Sequence, residues 1–273
     1  MRHSTHKPAP PLGDYIDIFW QCIDAPLHPR AIVLPNGTIE LVINLRDDEI
    51  RIYDALHPEC YQRFPGIVVS GAYAGAFVVD PSQRRSIMGV HFKPGGAFRF
   101  LGPAVGELAS THLALETLWG RLATELRERL CAAATPQKRF QILEEILISR
   151  LQSVSEHPAV SFALDLFGPA GISDSVRAVA KRIGLSQRRF VQVFTSQVGL
   201  TPKLFCRVLR FKHAREFVDQ GATPDWSQVA LACGYYDQSH LIHDFQELSG
   251  LSPTEYLRLP SNPLARNHVR PLS

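Results

Sequence analysis

The chain lacks any cysteine pattern that would staple or metallate it. Its five cysteines, Cys22, Cys60, Cys131, Cys206 and Cys233, are scattered, odd in number and without C-x-x-C spacing. That excludes a disulfide framework and a zinc ribbon, and reads as reduced thiols in a cytoplasm. No Gly-rich phosphate loop, G-x-S-x-G elbow or H-E-x-x-H occurs, so no enzyme and no cofactor is expected. His3, His6, His57 and His91 lack the close spacing of metal ligands. The longest uncharged stretch, Phe64–Val79, is shorter than the ~18 residues a spanning helix needs. It is also broken by Gly66, Gly71 and Gly75. Residues 1–11 are polar and proline-rich, with no apolar signal core. No membrane segment is expected.

What is present is an ordinary globular composition with unevenly placed charge. The 273 residues are enough for two domains, with 45% hydrophobic and 20% charged residues. The net charge of +3 hides a basic block: residues 172–215 carry ten Lys/Arg against Asp174 alone. Residues 216–273 carry three Arg against seven Asp/Glu, a net −4. A concentrated positive block is where a polyanion docks.

The spacing predicts strands first and helices later. Ile32–Leu34 ends at the turn Pro35-Asn36-Gly37; Thr38–Leu45, Ile67–Val69, Ala76–Val79 and Ile87–Phe92 follow as short branched runs. His91 alternates with Val90 and Phe92 and so points away from them, to line a barrel, to meet solvent or to make a structural hydrogen bond, of which the last two are favoured; Glu40 and Asn44 share one strand face, to line a pocket or, as favoured, for buried structural hydrogen bonding. After Gly102 the period changes. Leu118, Leu122, Leu126 and Leu130, then Phe140, Leu143, Ile146, Leu147 and Leu151, mark amphipathic helices. Gly168-Pro169-Ala170-Gly171 is the expected domain boundary. The fold class expected is α+β in two domains. Residues 1–168 form a small β-barrel or sandwich (12–100) followed by helices (103–168), and 172–273 form an all-α module.

That module repeats itself. Val179–Pro202 and Val229–Pro253 align: Gly184 and Gly234 are 50 apart, while Phe194 and Phe245, Gly199 and Gly250, and Pro202 and Pro253 are each 51 apart. Each copy has an apolar first helix, a glycine turn (Gly184, Gly234), a cap (Ser186, Asp237) and a second helix with a buried stripe. These are two helix-turn-helix units, expected at 175–199 and 225–249. Thr201-Pro202 starts a linker helix over 202–220, ended by Gly221, with Leu204, Phe205, Val208, Leu209, Phe217 and Val218 on its buried side. Recognition helices present their first turns to base edges. The expected readers are Ser186, Gln187, Arg188, Arg189 and Gln192, then Gln238, Ser239, His240 and His243; Lys203 and Arg207 are the expected phosphate contacts. Arg suits guanine and Gln suits adenine. Asp244 and Glu247 are candidates for meeting a protein partner.

The motifs L-S-Q-R-R-F-x-x-x-F-x-x-x-x-G-L-T-P and G-Y-Y-D-Q-S-H-L-I-H-D-F-x-x-x-x-G-L-S-P-x-x-Y-L resemble the AraC/XylS family of transcription regulators over about 172–259. The resemblance implies a seven-helix module whose two recognition helices enter successive major grooves. Gln192 and His243 depart from residues common at those places. The segments L-P-N-G-T-I-E-L-V-I-N-L, G-V-H-F-K-P-G-G-A and E-T-L-W-G resemble an N-terminal domain, of sensory or dimerising role by analogy, found on a subset of these regulators. The expected partner is double-stranded DNA. A small-molecule effector, RNA polymerase and a second copy of the chain are the further partners this plan allows. The alternatives are a non-sensing dimerising or architectural protein, and an AraC-type unit fused to a DNA-repair or other enzymatic domain. The scattered cysteines speak against the latter.

Overall fold

Branched runs bounded by turn residues become strands, as period-two burial requires. The structure, a computed structural model, describes all residues except 1, 24–29, 56, 58, 81–85, 153–155, 169–175, 220–223, 260–268 and 273. The strands are β1 (Arg2–His6), β2 (Ile16–Ile23), β3 (Arg30–Val33), β4 (Glu40–Asn44), β5 (Glu49–Tyr53), β6 (Tyr61–Pro65), β7 (Ile67–Ser70), β8 (Phe77–Val79), β9 (Ser86–Phe92), β10 (His112–Ala114) and β11 (Val269–Leu272). The helices are α1 (Phe98–Leu101), α2 (Glu116–Trp119), α3 (Arg121–Ala132), α4 (Pro136–Arg150), α5 (Pro158–Phe167), α6 (Val176–Ile183), α7 (Gln187–Val198), α8 (Pro202–Asp219), α9 (Trp226–Ala232), α10 (Gln238–Ser249) and α11 (Pro253–Arg258). A short 3-10 helix covers Gly102–Glu107. No helix of the described residues is long and apolar enough to cross a membrane.

Two antiparallel sheets form, in the orders β1-β2-β9-β4-β7-β10 and β11-β3-β8-β5-β6. Neither closes on itself, so of the expected barrel and sandwich it is two sheets that the chain adopts. The polar N-terminus, which carries no strand signal, forms β1 because β2 offers it an open edge, pairing Arg2 with Ile23 through His6 with Phe19.

Alternate rows of the six-stranded sheet go to different places. Phe19, Val90, Leu41 and Val69 lie opposite one another across four strands and are buried in the core that α3 and α4 complete with Leu126, Leu130, Phe140 and Leu143. The neighbouring row, His91, Glu40 and Ser70, faces the other way. His91 makes the structural contact rather than facing solvent: it is 4% exposed, and its Nδ1 lies 2.8 Å from Glu40 Oε1. Asn44 is also structural, its Oδ1 accepting from the amides of Arg46 (3.0 Å) and Asp47 (2.9 Å) to shape the β4–β5 turn.

Two features of the C-terminal part depart from the sequence reading. Phe217 is 45% exposed. The buried stripe of α8 runs through Phe211, Ala214, Arg215 and Val218 at helical spacing, and Phe217 falls off it. The chain's last strand, β11, leaves the helical module and pairs antiparallel with β3, Val269 opposite Val33 and Leu272 opposite Arg30. Arg270 on β11 is buried, ion-paired with Asp219 at the end of α8 and 2.8 Å from the Tyr256 hydroxyl on α11. The second helix-turn-helix unit is thereby tied to the front domain's sheet.

The expected boundary, Gly168–Gly171, lies outside the described residues apart from Gly168, and so does Gly221. Six helices lie within 172–259 among the described residues. α5 packs on them as a seventh, Phe167 meeting Phe194 edge-to-face (5.8 Å) and Phe205 at a tilt (6.3 Å).

Candidate nucleic-acid interface

The two units share the same turn chemistry. After α6, Gly184 has φ +76°; its amide donates to Lys181 O (3.2 Å) and that of Leu185 to Ala180 O (3.1 Å). After α9, Gly234 has φ +73°; its amide donates to Leu231 O (3.2 Å) and that of Tyr235 to Ala230 O (2.9 Å). Both are Schellman turns, and the left-handed residue is the glycine in each. The extra residue of the second copy is Tyr236, 93% exposed in the turn. Ser186 Oγ then accepts from the Arg189 amide (3.3 Å), and Asp237 Oδ1 from the His240 amide (2.7 Å), capping α7 and α10. Each helix ends at a glycine with positive φ, Gly199 or Gly250.

The buried faces also match position for position. Phe190, Val193, Phe194, Gln197 and Val198 of α7 are matched 51 residues later by Leu241, Asp244, Phe245, Leu248 and Ser249 of α10. Where the first copy buries Val193 the second buries a carboxylate, and α8 supplies its counter-ion. Arg207 Nε is 2.6 Å from Asp244, and its other nitrogens reach Glu247, with Nη1 at 2.7 Å. Hydrogen bonding to Glu247 holds the Arg207 guanidinium above its usual range. Asp244 and Glu247, expected to meet a partner protein, and Arg207, expected to contact phosphate, meet one another within the module. The physical reason is the cost of burying Asp244 without a cation.

Around this frame the expected readers take these places. Ser186, Gln187, Arg188, Arg189 and Gln192 are exposed on the first turns of α7, with Arg189 Nη1 donating to Gln192 Oε1 (3.0 Å). Ser239, His240 and His243 are exposed on α10, while Gln238 is half-buried and accepts from Ser227 Oγ (3.2 Å). The outward face of α7 is shorter than its helical period implies. Ser196 lies against the 3-10 helix, where a Cβ on Gly106 would approach its Cα to 3.0 Å.

The basic block divides in two. Arg177, Lys181, Arg182, Arg188, Arg189 and Lys203 are exposed. Beyond Lys203 the cations are engaged by neighbours: Arg207 by its carboxylates, Arg210 over the Tyr235 ring (5.6 Å) and Lys212 by Glu216 at the surface (3.9 Å), while Arg215 is fully buried. The exposed positive surface therefore belongs to α6, α7 and the start of α8. Burial pushes the thiols of Cys206 on α8 and of Cys233 at the end of α9 up to about 11, so they are protonated and unreactive at neutral pH. Among the described residues no group of three His, Cys, Asp or Glu is placed to hold a metal ion.

The sequence reading missed one polar constellation, in the front domain: Trp20, Tyr73, Phe77 and His112 beside Glu40 and His91. The side chains come from different strands and loops, and no spacing in the chain signals them.

A family described as a helix-turn-helix domain matches residues 179–259, and one described as a domain of unknown function (DUF6597) matches residues 4–114. The probable transcriptional regulator LumQ of Photobacterium leiognathi is 35% identical over 82 residues, 30% of this chain and 33% of that protein. The HTH-type transcriptional activator RhaR of Salmonella schwarzengrund is 27% identical over 145 residues, 53% of this chain and 46% of that protein. The matches thus span between a third and about half the length of these curated relatives. Among solved structures, ToxT from Vibrio cholerae superposes with a TM-score of 0.47 at 10% identity, over 93% of this chain and 96% of that one. A probable AraC family transcriptional regulator from Rhodopseudomonas palustris superposes with a TM-score of 0.32 at 25% identity, over 36% of this chain and 94% of that one. Residues 179–259 thus match a helix-turn-helix domain and resemble the AraC type in their motifs and duplicated capped turns, behind residues 4–114 that match a domain of unknown function.

Proposed function

We propose that this chain is a sequence-specific transcription regulator that grips duplex DNA with both units and receives a signal through its front domain. The observation that carries the reading is the duplicated, capped turn that presents a polar first turn of α7 and of α10. Ser186, Gln187, Arg188, Arg189 and Gln192 read one groove. Gln238, Ser239, His240 and His243 read the next, about one helical turn or ~34 Å along. The six exposed cations of α6, α7 and Lys203 supply most of the phosphate attraction, and α10 adds recognition more than affinity. Arg207 serves by holding α10 on α8. The chain works in the cytoplasm, as a monomer or with a second copy, alongside RNA polymerase at the promoters it controls.

The test is a competition assay of the full chain over a randomised duplex, repeated across a salt series. Specific enrichment, with log affinity falling linearly against log salt, is expected because phosphate contacts release counterions. No enrichment, or a flat salt response on the enriched site, sinks the reading.

A further inference from the structure

The motif G-V-H-F-K-P-G-G-A, to which the DNA reading gives no role, ends in one wall of a cleft between the front domain and the first unit. Its last two glycines are required by the backbone. Gly95 has φ +79°, and a Cβ on Gly96 would meet the Tyr15 carbonyl oxygen at 2.1 Å. That wall is therefore bare main chain. Pro94 and, from α5, Val160 and Leu164 make the cleft apolar on other sides, while Asp14, Glu156 and Gln197 bring polar groups to it. Front domain, α5 and α7 thus meet at one opening. The empty space is about 330 Å³, open mouth included. At ~30 Å³ per water-sized group it holds at most about ten non-hydrogen atoms.

Gln197, near the end of α7, is the informative residue. It is 7% exposed. Its Oε1 accepts from the His157 amide (3.1 Å), and since an N–H needs an acceptor this fixes which end of the side-chain amide is which. The Nε2 end makes no hydrogen bond among the described residues, and the side chain borders the cleft. A nearly buried donor in that state costs free energy until an acceptor reaches it. Asp14 is exposed at the opening and forms no ion pair among the described residues, and half-buried Glu156 adds a second negative charge. The cations beside the motif are engaged elsewhere. Lys93 Nζ donates to Gly13 O (2.6 Å) and Arg99 lies over the Tyr15 ring (5.1 Å); neither lines the cleft. The cleft is negative at its mouth, apolar along its walls and carries a hydrogen-bond donor at its buried end.

We propose that this cleft binds a small aliphatic primary amine that carries an ether or carbonyl oxygen a few bonds from its nitrogen. The ammonium group lies against the Asp14 and Glu156 carboxylates, and the oxygen accepts from Gln197 Nε2. The carbon chain runs along Pro94, Val160 and Leu164. Coulomb attraction selects a cation at the mouth and repels an anion, while the buried amide selects an acceptor. The inference rests on the signal-receiving role proposed above and deepens it, naming the ligand class and a place where one molecule touches the front domain and α7 together.

The test uses the full chain without DNA, titrated calorimetrically at low salt with methoxyethylamine and two isosteres. Butylamine replaces the ether oxygen with a methylene, and methoxyethanol replaces the ammonium with a hydroxyl. Methoxyethylamine is expected to bind in the millimolar range, as so small a probe allows. Butylamine should bind about fivefold more weakly, one lost hydrogen bond, and methoxyethanol at least about tenfold more weakly. Asp14→Asn keeps the shape of an exposed side chain and should weaken methoxyethylamine about threefold or more, leaving its preference over butylamine intact. Gln197→Leu should erase that preference, with circular dichroism verifying that each variant is folded; if this one is not, the isosteres and Asp14→Asn decide. Absence of methoxyethylamine binding, equal binding of either isostere, or unchanged affinity in folded Asp14→Asn would overturn the proposal. None of these outcomes touches the DNA reading, which the salt-series competition decides separately.

Discussion

Single residues divide here into those proposed to touch DNA and those that hold the reader in place. Arg188 is exposed on the first turn of α7 and forms no ion pair among the described residues. Arg188→Ala is expected to cost ~1–3 kcal/mol of binding, concentrated at one base pair. His243→Ala should cost less, since the acidic second copy gains little from counterion release, yet it should shift preference in the second half-site. A randomised-site profile for each variant checks the order, which is reversed if His243→Ala abolishes binding and Arg188→Ala leaves the profile untouched. Arg207→Ala belongs to the other class. It leaves Asp244 buried without its cation, a cost of about 1–3 kcal/mol in urea unfolding. His112 gives a pH signature. Burial lowers it from the ordinary 6.5 to about 3, against the opposing charge of Glu40. Between those values the unfolded chain holds a proton that the folded chain does not. Stability is therefore full above 6.5 and falls as pH drops toward 3, by up to about 1.4 kcal/mol per pH unit. In His112→Phe that part of the slope should vanish, and an unchanged urea midpoint series across this range would refute it.

At the scale of elements, caps and turns carry most of the local information. Ser186, Asp237, Gly184 and Gly234 were legible because capping and left-handed turns act over a few residues and restrict residue type. Asp237→Ala should destabilise the chain by about 1 kcal/mol, whereas Asp237→Asn should leave its stability nearly unchanged, since either side chain can accept from the His240 amide. Chemical unfolding of the pair decides this. The role of α5 was not legible: it reads as one more amphipathic helix of the front half, and only its packing shows Phe167 covering Phe194 and Phe205. A fragment that starts at Pro158 is therefore expected to be more helical and more stable than one that starts near 172. Equal melting curves by circular dichroism would show that α5 adds nothing to the module.

At the scale of the whole molecule the two units are attached differently to the front domain. The first is seated directly. Gly106 abuts Ser196, Gly37 of the β3–β4 turn abuts the Phe205 ring, and the His157 amide donates to Gln197 (3.1 Å). The second is reached through β11 and the buried Arg270, Asp219 and Tyr256. Removing residues 269–273 opens the edge of β3 and takes the cation from Asp219. A loss of about 1–3 kcal/mol is expected, each kcal/mol lowering Tm by ~2–4 °C. Faster amide exchange at Ile32, opposite Arg270, should accompany it. A trimmed chain with unchanged Tm and unchanged exchange at β3 would mean that the strand carries no load.

The sequence by itself determined the duplicated helix-turn-helix units, their caps and turn glycines, the basic block and most of the front strands. These rest on short-range periodicity, residue-specific backbone conformations and charge counts, all written along the chain. Only the tertiary structure decided which basic residues remain exposed, that β11 returns to β3, and that His112 is gathered among Tyr73, Phe77 and Phe64. Those outcomes depend on residues far apart in the chain coming into contact. Asp244 takes a cation from Arg207, 37 positions away, and β11 takes an edge more than two hundred positions away. Such contacts depend on geometry across the whole molecule, because hydrogen-bonding edges and buried charges accept whichever complementary partner the fold brings within reach.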